Sequence, residues 1–160
     1  MERLMKNVLN IVGILIVVGS IAAYFINQRK VDEYNDYIYK LRPIIKAQDV
    51  VIKQITSSTI ANAAPKLEEW RSKLRGQLRK TKAITPKKQQ IQEIHAYWVK
   101  RTQHLVDGIE ALKEYIRTRH PKHLKARTHH FNQATKALKS FIKRRDRYFK
   151  RNNIRLKEQN

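Results

Sequence analysis

The chain has 160 residues, a net charge of +22 from 35 Lys and Arg against 13 Asp and Glu, and no cysteine. Without cysteine, disulfides, thiolate metal sites, thiol catalysis and a cysteine-borne lipid anchor are excluded. Four glycines and four prolines exclude a collagen-like or linker-rich chain, and the surplus of positive charge points to polyanionic partners.

Residues 1–7 form a short tail carrying Arg3 and Lys6. Residues 8–26 follow as an uncharged apolar run, VLNIVGILIVVGSIAAYFI, in which only Asn10 and Ser20 are polar. At about 1.5 Å per residue the run is long enough to cross a hydrocarbon core of about 30 Å. A cleaved signal peptide is the competing reading, with Ser20-Ile21-Ala22 as the small-residue site. The apolar run continues past that point through Ala23-Tyr24-Phe25-Ile26, with aromatics where an interfacial belt would fall, which favours an uncleaved signal-anchor. A buried core helix is the remaining reading. Basic residues lie on both sides of the run, Arg3 and Lys6 before it and Arg29 and Lys30 after it. A short basic tail before a span is the usual start of a signal-anchor, so the bulk of the chain is expected outside the cytoplasm.

Proline punctuates the rest. A first helix is expected over residues 27–56, with Tyr34, Ile38, Leu41 and Ile45 keeping one face apolar across a kink at Pro43. Ser57-Ser58-Thr59 loosens the chain. A second helix over 62–83 carries the stripe Leu67, Trp70, Leu74, Leu78. Thr85-Pro86 reads as N-cap and first helical position of a third helix, 86–119. Its stripe of Ile91, Ile94, Trp98, Thr102, Leu105, Ile109, Leu112 and Ile116 approaches a coiled-coil heptad. His120-Pro121 then opens a fourth helix over 121–151, and the tail is expected to fray from about Arg151, weakened further by Asn152-Asn153. No segment alternates with period two, so no strands are expected. Gly76 and Gly108 fall inside helices, as points of close contact or as tolerated surface residues.

The chemistry of catalysis is sparse. Phosphate-loop, dinucleotide, zinc-protease and serine-hydrolase motifs are all lacking, and the pairs Glu68-Glu69 and Asp107/Glu110 flank their stripes. No enzyme activity and no cofactor are expected. His120, His123 and His130 are weak candidates for an imidazole metal site, opposed by cationic surroundings. His95 and His104 sit at the edge of the third helix. Trp70, Tyr97, Trp98, Phe131, Phe141 and Phe149 could stack on nucleic-acid bases, but Trp70, Trp98 and Phe131 fall on apolar stripes and read as core.

The most specific feature is the basic run Lys143, Arg144, Arg145, Arg147, Lys150, Arg151, Arg155, interrupted by Asp146 alone, beside a narrow seam of Phe141, Ile142, Tyr148 and Phe149. Residues 115–160 hold 15 basic residues against Asp146 and Glu158. One sign at this density repels itself, so counter-charge from outside the chain is implied.

The expected fold is therefore all-α, an N-terminal transmembrane helix followed by an up-down antiparallel bundle of about four helices in the basic domain 27–160. The expected function is a single-pass, membrane-anchored interaction protein at an anionic envelope surface. Its partner would be an anionic lipid, a phosphate-rich polymer or an acidic protein. A cytoplasm-facing polyanion or nucleic-acid binder is the first alternative, nucleic acid entering only on that side, and a secreted basic factor is the second. Oligomerisation is left open.

Overall fold

The computed structural model describes the backbone of residues 2–154 and the side chains of residue 26 and residues 28–154. Among the described residues no helix is long and apolar enough to cross a membrane. The side chains of the apolar run before Ile26 lie outside that set, as does Arg155.

Helix α1 (Glu2–Ser57) passes through Pro43 without interruption. Proline at 43 removes the hydrogen bond to the carbonyl of Tyr39. Both residues are exposed, Tyr39 at 81%, so water satisfies the freed carbonyl and the helix survives. Ser58 Oγ then donates to Gln54 O at 2.7 Å and ends the helix. The second stripe does not start as one helix at residue 62. Thr59 Oγ1 accepts from Asn62 N and caps the single turn α2 (Ile60–Ala63), and a 3-10 turn at Ala64–Lys66 accommodates Pro65. Helix α3 (Leu67–Ala83) follows, with Glu68 and Glu69 in its first turn and Lys80 and Lys82 in its last, as the helix dipole favours.

Helix α4 (Gln89–Thr118) starts three residues later than Thr85-Pro86 suggests. Lys88 is extended and is the N-cap, while Gln92 Nε2 reaches back to Pro86 O at 2.8 Å, so the carbonyl of Pro86 belongs to the loop. Arg119 closes α4 in the left-handed region, at φ 56°, its N–H bonded to Tyr115 O. Helix α5 (Pro121–Arg151) begins with proline in its first turn, and His120 Nδ1 accepts from Lys122 N at 3.2 Å.

Residues 152–154 are ordered by a cap, and residues 155–160 of the tail lie outside the described residues. The N–H of Ile154 bonds Phe149 O at 3.0 Å and that of Asn153 bonds Lys150 O, with Asn153 left-handed at φ 50°. This is a Schellman cap with asparagine in the glycine position, and it folds Ile154 back onto the core.

The helices form an all-α up-down bundle without strands among the described residues. Cross-helix contacts give its directions. Glu110 on α4 meets Arg71 on α3, Phe141 on α5 packs on Trp98, and Tyr34 on α1 stacks on Tyr148. The core has two clusters. One, towards the α4–α5 turn, gathers Val51, Ile55, Leu67, Trp70, Leu74, Leu105, Ile109 and Leu112. The other, at the opposite end, gathers Tyr34, Tyr37, Leu41, Ile91, Ile94, Trp98, Phe141, Tyr148 and Phe149. Gly108 lets α5 approach α4, since a Cβ there would lie 3.2 Å from the Phe131 ring, whereas Gly76 faces open space.

Candidate functional site

Helix α5 buries Ala134, Ala137, Phe141, Tyr148 and Phe149 on one face. The opposite face carries Lys136, Lys139, Lys143, Arg147 and Lys150, all exposed. Their spacing of three and four residues keeps them on one line, which spans about 21 Å at 1.5 Å per residue. Among the described residues none of these five meets a carboxylate, so the line is a cationic stripe of single sign.

The basic run proves heterogeneous. Lys143, Arg147, Lys150 and Arg151 are exposed and face solvent. Arg144 Nη1 instead pairs with Glu93 Oε2 on α4 at 3.2 Å. Arg145 is half-buried; it holds Asp146 Oδ1 at 2.8 Å and lies over the Phe149 ring. Those two arginines, Arg144 although exposed, are engaged by carboxylates of the bundle, and the other four can serve a ligand. Ile142 is 38% exposed and is no part of the seam. Lys136 and Lys139 extend the stripe towards the middle of α5. They are found by continuing the helical period backwards from the dense run rather than by charge density.

The stripe ends beside α1. Tyr148 Oη donates to Lys30 O at 3.1 Å, and the Tyr148 ring stacks on Tyr34, which also meets Phe149 edge-on at 4.8 Å. The C-terminal turns of α5 therefore sit against the first turns that follow the apolar run. Burial pushes the phenols of Tyr34 and Tyr148 above their usual range, so both stay neutral and Tyr148 keeps its proton for Lys30 O.

The aromatic residues are mostly core. Trp70, Trp98, Phe141 and Phe149 are all buried, so they offer no face for base stacking, and Phe131 is half-buried against Gly108. Trp70 Nε1 donates to Gln54 Oε1 at 3.1 Å.

A buried arginine and a cleft beside it escape sequence reading. Arg101, 6% exposed, binds Gln48 Oε1 and stacks on Trp98 at 4.5 Å, while Gln48 Nε2 donates to Thr102 Oγ1 at 2.9 Å. Burial lowers the Arg101 pKa, an effect that Asp49 at 3.8 Å opposes. Arg101 and Arg127 also line a cleft of about 420 Å³ between α1, α4 and α5, beside Ile52, Leu105 and Phe131.

The histidines group differently from their order in sequence. His120 caps α5 and stands edge-on to His123, but neither joins His130. On a helix, residues 123 and 130 lie two turns apart, too far to share an ion. His130 instead faces His104 on α4, with Asp107 beside them. His95 is buried, with Tyr37 Oη 3.4 Å from its Nδ1, and burial lowers its pKa. Among the described residues, Glu68, Glu69 and Glu110 of the carboxylates flanking the stripes are taken up in ion pairs, while Asp107 is not. Glu110 bridges Arg71 and Arg75, and Glu68 holds Arg71 and Lys113. Comparison of the chain with protein-family models, curated proteins and solved structures finds no match.

Proposed function

We propose that this chain is a non-enzymatic, single-pass membrane-anchored helical bundle that holds phosphate-bearing anions at an envelope surface. The observation that carries the reading is the outer face of α5. Five exposed cations stand on one line without a carboxylate partner among the described residues. A surface evolved only for solubility would mix signs and gain ion pairs at i,i+4, as Lys40 and Asp36 do on α1. Support for the anchor comes from the apolar run at 8–26 together with the packing of Tyr148 on Lys30, which sets the stripe's end just beyond that run. Anions at the membrane face, whether lipid headgroups or a linear phosphate polymer, then lie within reach of Arg147, Lys150 and Arg151. The domain acts outside the cytoplasm in this reading.

The anchor is tested by extraction. The full chain should stay with membranes in high salt and alkaline carbonate, and release by salt alone would mean peripheral attachment. The face is tested with the full chain in zwitterionic bilayer discs, titrated with soluble polyphosphate or with vesicles containing anionic lipid. Binding through about five cations should weaken on the order of 100-fold between about 50 and 200 mM salt. Changing Lys143, Arg147, Lys150 and Arg151 together to Gln should remove it, whereas changing Arg144 and Arg145 should not. Equal binding by the quadruple variant, or indifference to salt, would refute the assignment. Preference for vesicles over polyphosphate identifies lipid as the source of phosphate, and the reverse identifies a polymer.

A further inference from the structure

The geometry points to a transition-metal site that clamps α4 to α5 through His104, Asp107 and His130. His104 and Asp107 are three residues apart on α4 and so present one face, and His130 meets them from α5. The Nδ1 atoms of His104 and His130 lie 3.5 Å apart, and one ligand atom from each of the three residues falls within 4.8 Å of the others. A tetrahedral zinc ion with Zn–N bonds of about 2.0–2.1 Å needs neighbouring donors about 3.3–3.4 Å apart. The two imidazole nitrogens are thus close to the spacing of adjacent zinc ligands, with a carboxylate oxygen of Asp107 within 4.8 Å of a ring nitrogen of each.

Three features of the surroundings suit an ion. All three residues are half-buried, so part of their solvation has been removed before binding. Asp107 Oδ1 accepts from Gln103 Nε2 at 2.9 Å, an outer contact of the kind that orients a metal-bound carboxylate. The close approach of the helices is fixed next door, where Phe131 covers Gly108. Without an ion the two nitrogens can share only one N–H between them. Protonating both would set two cations side by side at this separation. A neutral imidazole pair is the form a metal requires.

The donor set selects the metal. Two imidazoles and one carboxylate suit Zn²⁺ and its neighbours Co²⁺, Ni²⁺ and Cu²⁺, whereas Mg²⁺ and Ca²⁺ prefer oxygen. Three protein ligands leave a fourth position to water. Lys100, one turn before His104, adds positive charge that weakens a dication, so affinity in the micromolar range is expected.

The test uses the full chain in detergent or discs, stripped with chelator and titrated with Zn²⁺ by calorimetry, and with Co²⁺ by visible absorption. One equivalent should bind, with the absorption of a four-coordinate cobalt site and a rise in Tm. His104→Gln and His130→Gln should each weaken binding at least tenfold, and Asp107→Asn should weaken it less. His120→Gln with His123→Gln should leave it unchanged. Circular dichroism confirms that each variant keeps its helices, and cobalt absorption of the folded parent decides the matter independently. Absence of stoichiometric binding by the parent would overturn the site, and so would binding that survives the His104→Gln/His130→Gln double variant or follows His120 and His123.

Discussion

The two ends of the bundle are built from the same helices and in different chemistry. Around Trp70 the core is aliphatic, filled by Val51, Ile55, Leu67, Leu74, Leu105, Ile109 and Leu112. Around Trp98 it is aromatic, with Tyr34, Tyr37, Phe141, Tyr148 and Phe149 in contact at ring separations near 5–6 Å. Aliphatic packing supplies burial without direction, while the tyrosines add hydroxyls that must find partners. The aromatic end accordingly holds the links to the basic face and to the start of the bundle, through Tyr148 and Lys30, and the aliphatic end holds the helices together. Between them Gln48, Arg101 and Thr102 form a buried polar layer.

The largest test of this contrast is truncation of each indole. Trp70→Ala and Trp98→Ala should each cost about 3–5 kcal/mol in chemical denaturation. If the halves fold as one unit, both variants keep a single transition by fluorescence and circular dichroism. A second transition in Trp98→Ala alone would show that the aromatic end unfolds separately.

The polar layer comes next. Arg101→Met leaves Gln48 Oε1 buried without its donor and should cost about 1–3 kcal/mol. Adding Gln48→Leu should recover part of that loss, because two apolar groups need no partners. If the double variant is worse by the full sum of both changes, the layer contributes packing and not paired polarity.

Removing one hydroxyl sharpens the picture further. Tyr148→Phe deletes the bond to Lys30 O and keeps the ring, for an expected loss of about 0.5–1.5 kcal/mol. An unchanged midpoint in urea would mean that stacking on Tyr34 alone holds the end of α5.

Acid should act on the aromatic end. Burial keeps the His95 pKa below its ordinary value, so the folded state takes up its proton later than the unfolded chain. The stability this histidine permits is complete above about pH 6.5, the unfolded value, and falls as pH drops below it towards the folded pKa. Denaturation midpoints at pH 7.5 and 5.5 should differ, and His95→Gln should narrow the difference. His104, also held low by burial, leaves a remainder of the same sign. Equal pH dependence in the parent and the variant would remove His95 from this role.

The helices were legible because their stripes repeat every three or four residues, and a run such as Ile91, Ile94, Trp98, Thr102 can bury itself in only one way. The stop at Arg119 and the start at Pro121 were legible for a local reason too. What escaped depends on partners distant in sequence. Nothing near Arg101 announces that Gln48, 53 residues earlier, will accept from it. His130 looked closer to His123 than to His104, yet an antiparallel pair of helices brings together residues on either side of their turn. Thr85-Pro86 carried a start signal that Gln92 overrides, and Asn152-Asn153 read as weakness where asparagine's tolerance of positive φ makes a cap. In the basic run, density alone could not separate Arg144 and Arg145, engaged with Glu93 and Asp146, from the four residues left facing water.

Helix α1 carries a mechanical consequence. From residue 26 to Ser57 it runs into the bundle without a glycine, and Pro43 does not break it. A tether of flexible chain would let the domain swivel freely about its root. Here the domain and its root form one stiff lever, about 46 Å from residue 26 to the tip at residue 57. With residues 8–26 seated in a bilayer, a tilt of about 20° would swing that tip sideways by about 16 Å. On the proposed reading, a ligand gripping the cationic face of α5 would also exert torque on the root.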